Sequence, residues 1–200
     1  TVPANGGTPS PVPNTGPGGQ GAYHPAMLPG GTAVVAAPGG SGNPEDRQVG
    51  VVDLESGAVD TLATATRITY ASGHVIFSGA DGTVLAQPFD PGARETTGPA
   101  VAILDGVGGS GPNLMGAFAV SDAGSIAYRR QTSTGSESLI VRGDEGSQRV
   151  PLSQAGNLEG VSFSNDARRI AMQILDSGIW IWDRDQLTHE LLVPDGRSAV

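Results

Sequence analysis

Short runs of β-branched and aromatic residues alternate with polar clusters along the chain. The runs are Val49–Leu54, Val75–Phe77, Val84–Phe89, Val101–Leu104, Phe118–Val120, Ser125–Tyr128, Leu139–Arg142, Val161–Phe163, Ile170–Leu175 and Ile179–Trp182. Each is bounded by Gly, Pro, Asn, Asp or Ser, the residues that open turns. No window of helical length carries a 3.6-residue apolar period free of Gly and Pro. The pattern predicts an all-β chain with a turn about every eight to twelve residues, the spacing of sandwiches, barrels and propellers.

Internal repeats separate these architectures. Phe118 to Arg130 reads FAVSDAGSIAYRR, and Val161 to Gln173 reads VSFSNDARRIAMQ. In both, Ser, a turn Asp and a small residue stand between two strands: Ser121-Asp122-Ala123-Gly124 and Ser164-Asn165-Asp166-Ala167. Degenerate copies start at Ala26 (AMLPGGTAVVA) and Ile68 (ITYASGHVIFS). Each copy is followed by strand, polar turn and strand, as in VGVVDLESGAVDTL and IWIWDRDQLTHELL. Asp53, Asp90, Gly143 and Asp183, taken as equivalent turn positions, lie 37, 53 and 40 residues apart. Their mean step matches the ~40–45-residue, four-stranded blade of a propeller. A blade is covered on both faces by its neighbours, so the unbroken apolar run Ile179-Trp180-Ile181-Trp182 suits it; a buried sandwich strand is the alternative for that run.

The predicted fold is an all-β propeller of four-stranded antiparallel blades, about four of them in this chain. The blades fall at 21–62, 66–104, 115–152 and 158–192, with inner strands near Met115–Ser121 and Leu158–Ser164. Residues 1–12 read as the tail of a preceding blade and 194–200 as the lead into a following one. The expectation is therefore an incomplete six- to eight-bladed ring, with the face of Ile179–Trp182 left without a partner. Gly39–Asp46 reads as a loop within the first blade, and Asp105–Asn113 as a flexible link between the second and third.

The succession FAVSDAGSIAY, LIVRGDEG, VSFSNDARRIAMQ and IWIWDRDQLTHELL resembles the TolB-type, WD40-like (PD40) propeller repeat. The family's usual form is an aromatic residue or Val, then Ser-Pro-Asp-Gly, two polar residues and Ile/Leu-Ala, followed by a strand ending in Asp. More narrowly, the order LPGGTAVVA, VGVVDLESGAVDTL, GHVIFSGADGTVLAQPFDP, TGPAVAILDGV and FAVSDAGSIAY resembles the propeller attached C-terminally to bacterial eukaryotic-like serine/threonine kinases and to some Tol-Pal-type proteins. The chain departs from the family at Asp122-Ala123-Gly124 and Asn165-Asp166-Ala167, where Pro-Asp-Gly is usual, and at Gly143, where Asp is expected. Kinase chemistry does not carry over, because no Gly-rich loop with its Lys, no His-Arg-Asp and no Asp-Phe-Gly occurs. The resemblance implies a sensor or interaction module of a larger bacterial protein, on the periplasmic or cell-surface side.

Composition agrees with this reading. Gly 31 and Pro 15 make up 23% of the chain, which disfavours long helices and helical repeats. The net charge is −9, and all eleven cations are Arg. An acidic surface repels phosphate backbones, so nucleic acid and anionic membranes are excluded as expected partners. Cys is 0, which removes disulfides, Cys-ligated zinc and Cys nucleophiles. No apolar run approaches the ~18–20 residues of a membrane span. The opening TVPANGGTPSP has neither the basic nor the apolar region of a signal peptide.

Candidate chemistry is sparse. Gly106-Val-Gly108-Gly-Ser-Gly111 follows a strand, as a dinucleotide-binding turn does. The residues after it run into the next repeat and leave no room for the helix whose N-terminus would face pyrophosphate. Gly16-Pro-Gly18-Gly-Gln-Gly21 has no strand before it. His24, His74 and His189 fall in three different blades, without the spacing of a zinc site. No G-x-S-x-G elbow exists, and Ser41 and Ser110 lack its flanking pattern. Glu45-Asp46 and Asp144-Glu145 read as solvated turn residues, and Asp183-Arg184-Asp185 lacks the spacing of a Ca²⁺ loop. Asp81-Gly82 reads as a hairpin tip. The expectation is a non-catalytic module with no cofactor and no metal. A protein or small ligand would dock at an axial end, where loops such as Ser121–Gly124 and Ser164–Ala167 cluster. The alternatives are a TolB-like periplasmic translocation protein, or the propeller part of a peptidase or hydrolase with its catalytic domain elsewhere.

Overall fold

The computed structural model describes residues 2, 5–13, 22–38, 43–110, 115–131, 137–144, 146–151 and 158–194. Among these the regular structure is β apart from a single short 3-10 turn, Pro44–Asp46. The chain divides into two compact units, 1–79 with 85–102, and 80–84 with 103–200.

The first unit holds two sheets. Strands β1 (Ala22–Met27), β2 (Ala33–Pro38), β3 (Gln48–Asp53) and β4 (Val59–Thr64) form a four-stranded antiparallel meander. The second sheet runs β5 (Arg67–Ala71), β6 (His74–Ser78), β7 (Val84–Asp90) and β8 (Glu95–Thr96), and β9 (Val101–Leu104) also pairs with β7. Its outer strand is thus in two pieces. Thr97 still donates to the Pro88 carbonyl at 2.9 Å, but Pro99 follows and has no N–H for a ladder.

All four positions of Val34-Val35-Ala36-Ala37 on β2 are buried, because the sheet is covered on both faces. Val35, Ala37, Val49 and Val51 pack with Ile68, Val75, Phe77 and Phe89 of the second sheet. Val34, Ala36 and Val52 face the other way and are capped by Ala22, Leu54 and Val12, the last from the segment before β1. That segment passes directly over the β3–β4 turn. A Cβ on Gly57, whose φ is +71°, would lie 1.5 Å from the Pro13 carbonyl oxygen, so both the backbone conformation and the close approach require glycine.

The second unit repeats the plan. A two-residue ribbon, β10 (Gly109–Ser110) with β11 (Met115–Gly116), precedes two meanders. One is β12 (Phe118–Val120), β13 (Ile126–Gln131), β14 (Glu137–Gly143) and β15 (Gly146–Val150). The other is β16 (Leu158–Phe163), β17 (Arg169–Ile174), β18 (Gly178–Asp183) and β19 (Thr188–Val193). Ala127, Leu139, Val141 and Val150 pack against Leu158, Val161, Ile170, Met172, Ile174 and Trp182. Each side chain of this size contributes about 1.5–3 kcal/mol on burial. The buried Arg129 stitches the two sheets, donating from Nη1 to the Leu158 carbonyl at 3.1 Å.

Two expectations need correction. Met115–Ser121 is not one strand: Gly116 ends β11, and Ala117 donates to the Gly108 carbonyl before β12 begins. The run Ile179–Trp182 does not present a bare apolar face either. Trp182 is fully buried, Trp180 packs partly into the same core, Ile179 is buried and Ile181 half-buried. Among the described residues, the exposed large apolar side chains of this sheet lie instead mostly on β19 and the turn before it, at Leu187, Leu191, Leu192 and Val193, with Leu175 in the β17–β18 turn.

Candidate functional site

The third strand of every meander ends at one of the four repeat positions: Asp53, Asp90, Gly143 and Asp183. Where the residue is Asp, a four-residue turn follows, and the carboxylate caps it. Asp53 Oδ1 accepts from the N–H groups of Glu55 and Ser56 at 3.1 and 2.7 Å. Asp90 Oδ1 accepts from Gly92 and Ala93 at 2.8 and 3.1 Å, and Asp183 Oδ1 from Asp185 and Gln186 at 3.0 and 2.9 Å. The last turn residue is left-handed each time: Gly57 at +71°, Arg94 at +60° and Leu187 at +56°. Gly143 departs from the pattern for a geometric reason. It carries no carboxylate to cap a turn, and it pairs with Gly146 across a two-residue turn in place of the four-residue one.

These turns share one end of each meander with the turn between its first two strands. In the first unit that end is closed by an ion pair. Arg94, from the β7–β8 turn, donates from Nη1 to Asp53 Oδ2 at 2.8 Å and from Nη2 to Thr32 Oγ1 at 3.3 Å, so it touches both turns of the preceding sheet. Two hydrogen bonds from Ser56, then Arg94 and last the Glu55 N–H, hold the Asp53 carboxyl well below the usual carboxylate range.

In the second unit the corresponding place is open. A pocket of ≈ 370 Å³ lies against both turns of the β12–β15 sheet, lined by Ala123, Ser125, Gly143, Asp144, Ser147 and Gln148, and by Arg184 of the β18–β19 turn. Arg184 is held there by its Nη1, which donates to the Ala167 carbonyl at 2.8 Å, and by its backbone N–H on the Arg168 carbonyl. Gly143 also makes room: a Cβ there would stand 2.9 Å from Ser125 Oγ. Asp144 is exposed, and neither a hydrogen bond nor an ion pair joins it to another described residue.

The structure separates the remaining sequence candidates. Val107 is buried and bridges to Arg130, and Gly109–Ser110 pair with Met115–Gly116, so the described part of Gly106–Gly111 is bonded β structure rather than a flexible link. Val107 N–H also reaches the carbonyl of Gly82 at 3.0 Å, while Asp81 caps that hairpin tip through Thr83. His24 sits at an irregularity of β1 beside Pro25, His74 on β6 donates from Nδ1 to the Ser72 carbonyl at 2.8 Å, and His189 lies on β19 opposite Trp182. Loss of water around the ring and the Arg67 guanidinium push His24 down to about 4. Burial lowers His189 as well, against a hydrogen bond from the ring to the Pro151 carbonyl that raises it. No three His, Asp or Glu side chains are grouped to hold a metal ion among the described residues. Gly16–Gly21, Ser41, Gly111 and Glu145 lie outside the described residues. The pocket itself was foreshadowed only by the Gly143 departure and by the two loops Ser121–Gly124 and Ser164–Ala167; nothing in the sequence pointed to Arg184.

No family model matches the sequence. No curated protein is similar to it at a meaningful level. Solved structures are similar. The chain superposes on TolB from Acinetobacter baumannii with a TM-score of 0.58 and 16% identity, over 82% of this chain and 41% of that one. It superposes on a chain of a nidogen/laminin complex with a TM-score of 0.60 and 10% identity, over 82% of this chain and 62% of that one. The four meanders are β-propeller blades, and the fold is TolB-like. The chain spans less than two thirds of either structure.

Proposed function

We propose that the chain is a non-catalytic propeller module that binds a protein or small ligand at the turn-bearing, axial end of its blades. The observation that carries this reading is the ≈ 370 Å³ pocket at the turns of the β12–β15 sheet. Pockets of about 300–1,000 Å³ with a few convergent polar groups are the usual form of small-ligand sites. Recognition on loops that a rigid scaffold positions is the common arrangement. One of the solved chains of the same fold comes from a complex of two proteins, nidogen and laminin.

In this reading the blades belong to a larger ring of six to eight, with residues 1–12 and 194–200 contributing to the flanking blades. The module is the sensor or interaction part of a longer bacterial protein, such as a serine/threonine kinase, on the extracytoplasmic side. The likeness to TolB supports a second reading, a periplasmic translocation protein. The continuing reading frame separates them. A kinase domain followed by one membrane span upstream fits the first reading, and an upstream sequence without a kinase fits the second. A G-x-S-x-G domain downstream overturns both in favour of a hydrolase.

A further inference from the structure

The two units place a basic side chain in the same relation to the preceding sheet and finish the arrangement differently. Arg94 meets a carboxylate that belongs to the protein, Asp53, and the end of that sheet is closed. Arg184 faces the equivalent turns of its own preceding sheet, where Gly143 replaces the carboxylate and a pocket remains. One nitrogen of Arg184 is committed to the Ala167 carbonyl, which restrains the guanidinium and leaves its other N–H groups for a ligand. Asp144 lines the same pocket and is joined neither to Arg184 nor to any other described residue.

We infer that this pocket takes a small zwitterion, an amino acid or dipeptide, with its carboxylate on Arg184 and its ammonium on Asp144. This rests on the binding-module reading and names its ligand class. A guanidinium held at one corner is a carboxylate receptor, because planar N–H pairs match carboxylate oxygens. A carboxylate with no protein partner is the complementary group for an ammonium. Ser125, Ser147 and Gln148 supply neutral hydrogen-bonding groups between the two charges. A ligand carrying one charge alone leaves the opposite wall unanswered. The chain's net charge of −9 further disfavours simple anions.

The test is titration of the intact, isotopically labelled chain with glycylglycine, acetate and methylamine, read by amide shifts at Ser125, Gly143 and Gln148. Glycylglycine is expected to bind at least about tenfold more tightly than either single-charge probe. Arg184→Gln should abolish the acetate response and keep that of methylamine, and Asp144→Asn should do the reverse. Equal binding of all three probes, no shifts at these amides, or variants that weaken both probes alike would overturn the assignment. Failure here and failure of the module reading are distinguishable: the former appears in these shifts, the latter in a catalytic domain encoded next to this one or in turnover by the whole protein.

Discussion

The guanidinium of Arg94 lies 2.8 Å from the carboxylate of Asp53, and so joins the last turn of one sheet to the third-strand turn of the sheet before it. Asp53 does two jobs there. It caps its own turn through Glu55 and Ser56, and it receives Arg94. Removing the two partners therefore has unequal effects. Asp53→Ala is expected to lower the urea midpoint more than Arg94→Ala, since the first loses the cap and the pair and the second only the pair. In about 1 M salt the Arg94→Ala effect should shrink, because a half-exposed ion pair is screened, while the cap persists. Equal loss in both variants would contradict this division.

Stability should fall on acidification in two windows. The folded chain holds Asp53, Asp81 and Asp166 below the ordinary carboxylate value, chiefly through hydrogen bonds from Ser56, Thr83 and Ser164. A depressed carboxyl contributes fully above its unfolded pKa and loses that contribution as pH falls through the folded value. This window therefore lies below about pH 4. His24 acts higher. Its imidazole goes from 6.5 to about 4 in the fold, so the unfolded chain holds more protons between those values. Stability declines as pH drops across that range and levels off beneath it. The side chain is exposed on one side, so the slope is shallow. Thermal midpoints across pH 4 to 7 should lose this slope in His24→Gln; an unchanged slope would assign it to another group.

Leu187 occupies the left-handed position that Gly57 fills in the equivalent turn, with φ at +56° and its side chain 60% exposed. A side chain pays about 1–2 kcal/mol for that conformation. Little packing is lost on truncation, and glycine returns part of the gain as unfolded-chain entropy. Leu187→Gly is expected to stabilise by about 0.5–1 kcal/mol in denaturant titration. Destabilisation would mean that Leu187 is covered in solution.

At Gly57 the same reasoning has the opposite sign. Alanine there would be strained at φ +71° and would drive its Cβ into the Pro13 carbonyl. Gly57→Ala is expected to cost about 1–2 kcal/mol and to displace the segment around Val12 from Val34, Ala36 and Val52. Limited proteolysis should then cut before β1 at lower protease concentration than in the parent chain. Unchanged cleavage would place that segment elsewhere.

The sheets were legible because the turn chemistry is local. Asp53, Asp90 and Asp183 mark strand ends through hydrogen bonds to residues two and three positions on, and those spacings survive in the sequence. Strand β1 was less plain, since Pro25 and a left-handed His24 interrupt its alternation. The split outer strand β8/β9 depends on pairing to β7 that no local pattern specifies. The pocket was the least legible part. Ser125, Gly143 and Arg184 are far apart in the chain, and only the register of two different meanders brings them to one place.

One repeat position serves three blades as a capped four-residue turn and the β12–β15 blade as a two-residue turn beside a pocket. Cross-strand nuclear Overhauser contacts in the labelled chain test it most directly. Contacts are expected between Asp183 and Thr188, Asp90 and Glu95, and Gly143 and Gly146, with slow exchange of the Ser56, Ala93 and Gln186 amides that the carboxylates hold. A four-residue turn after Gly143, or fast exchange of all three capped amides, would contradict it.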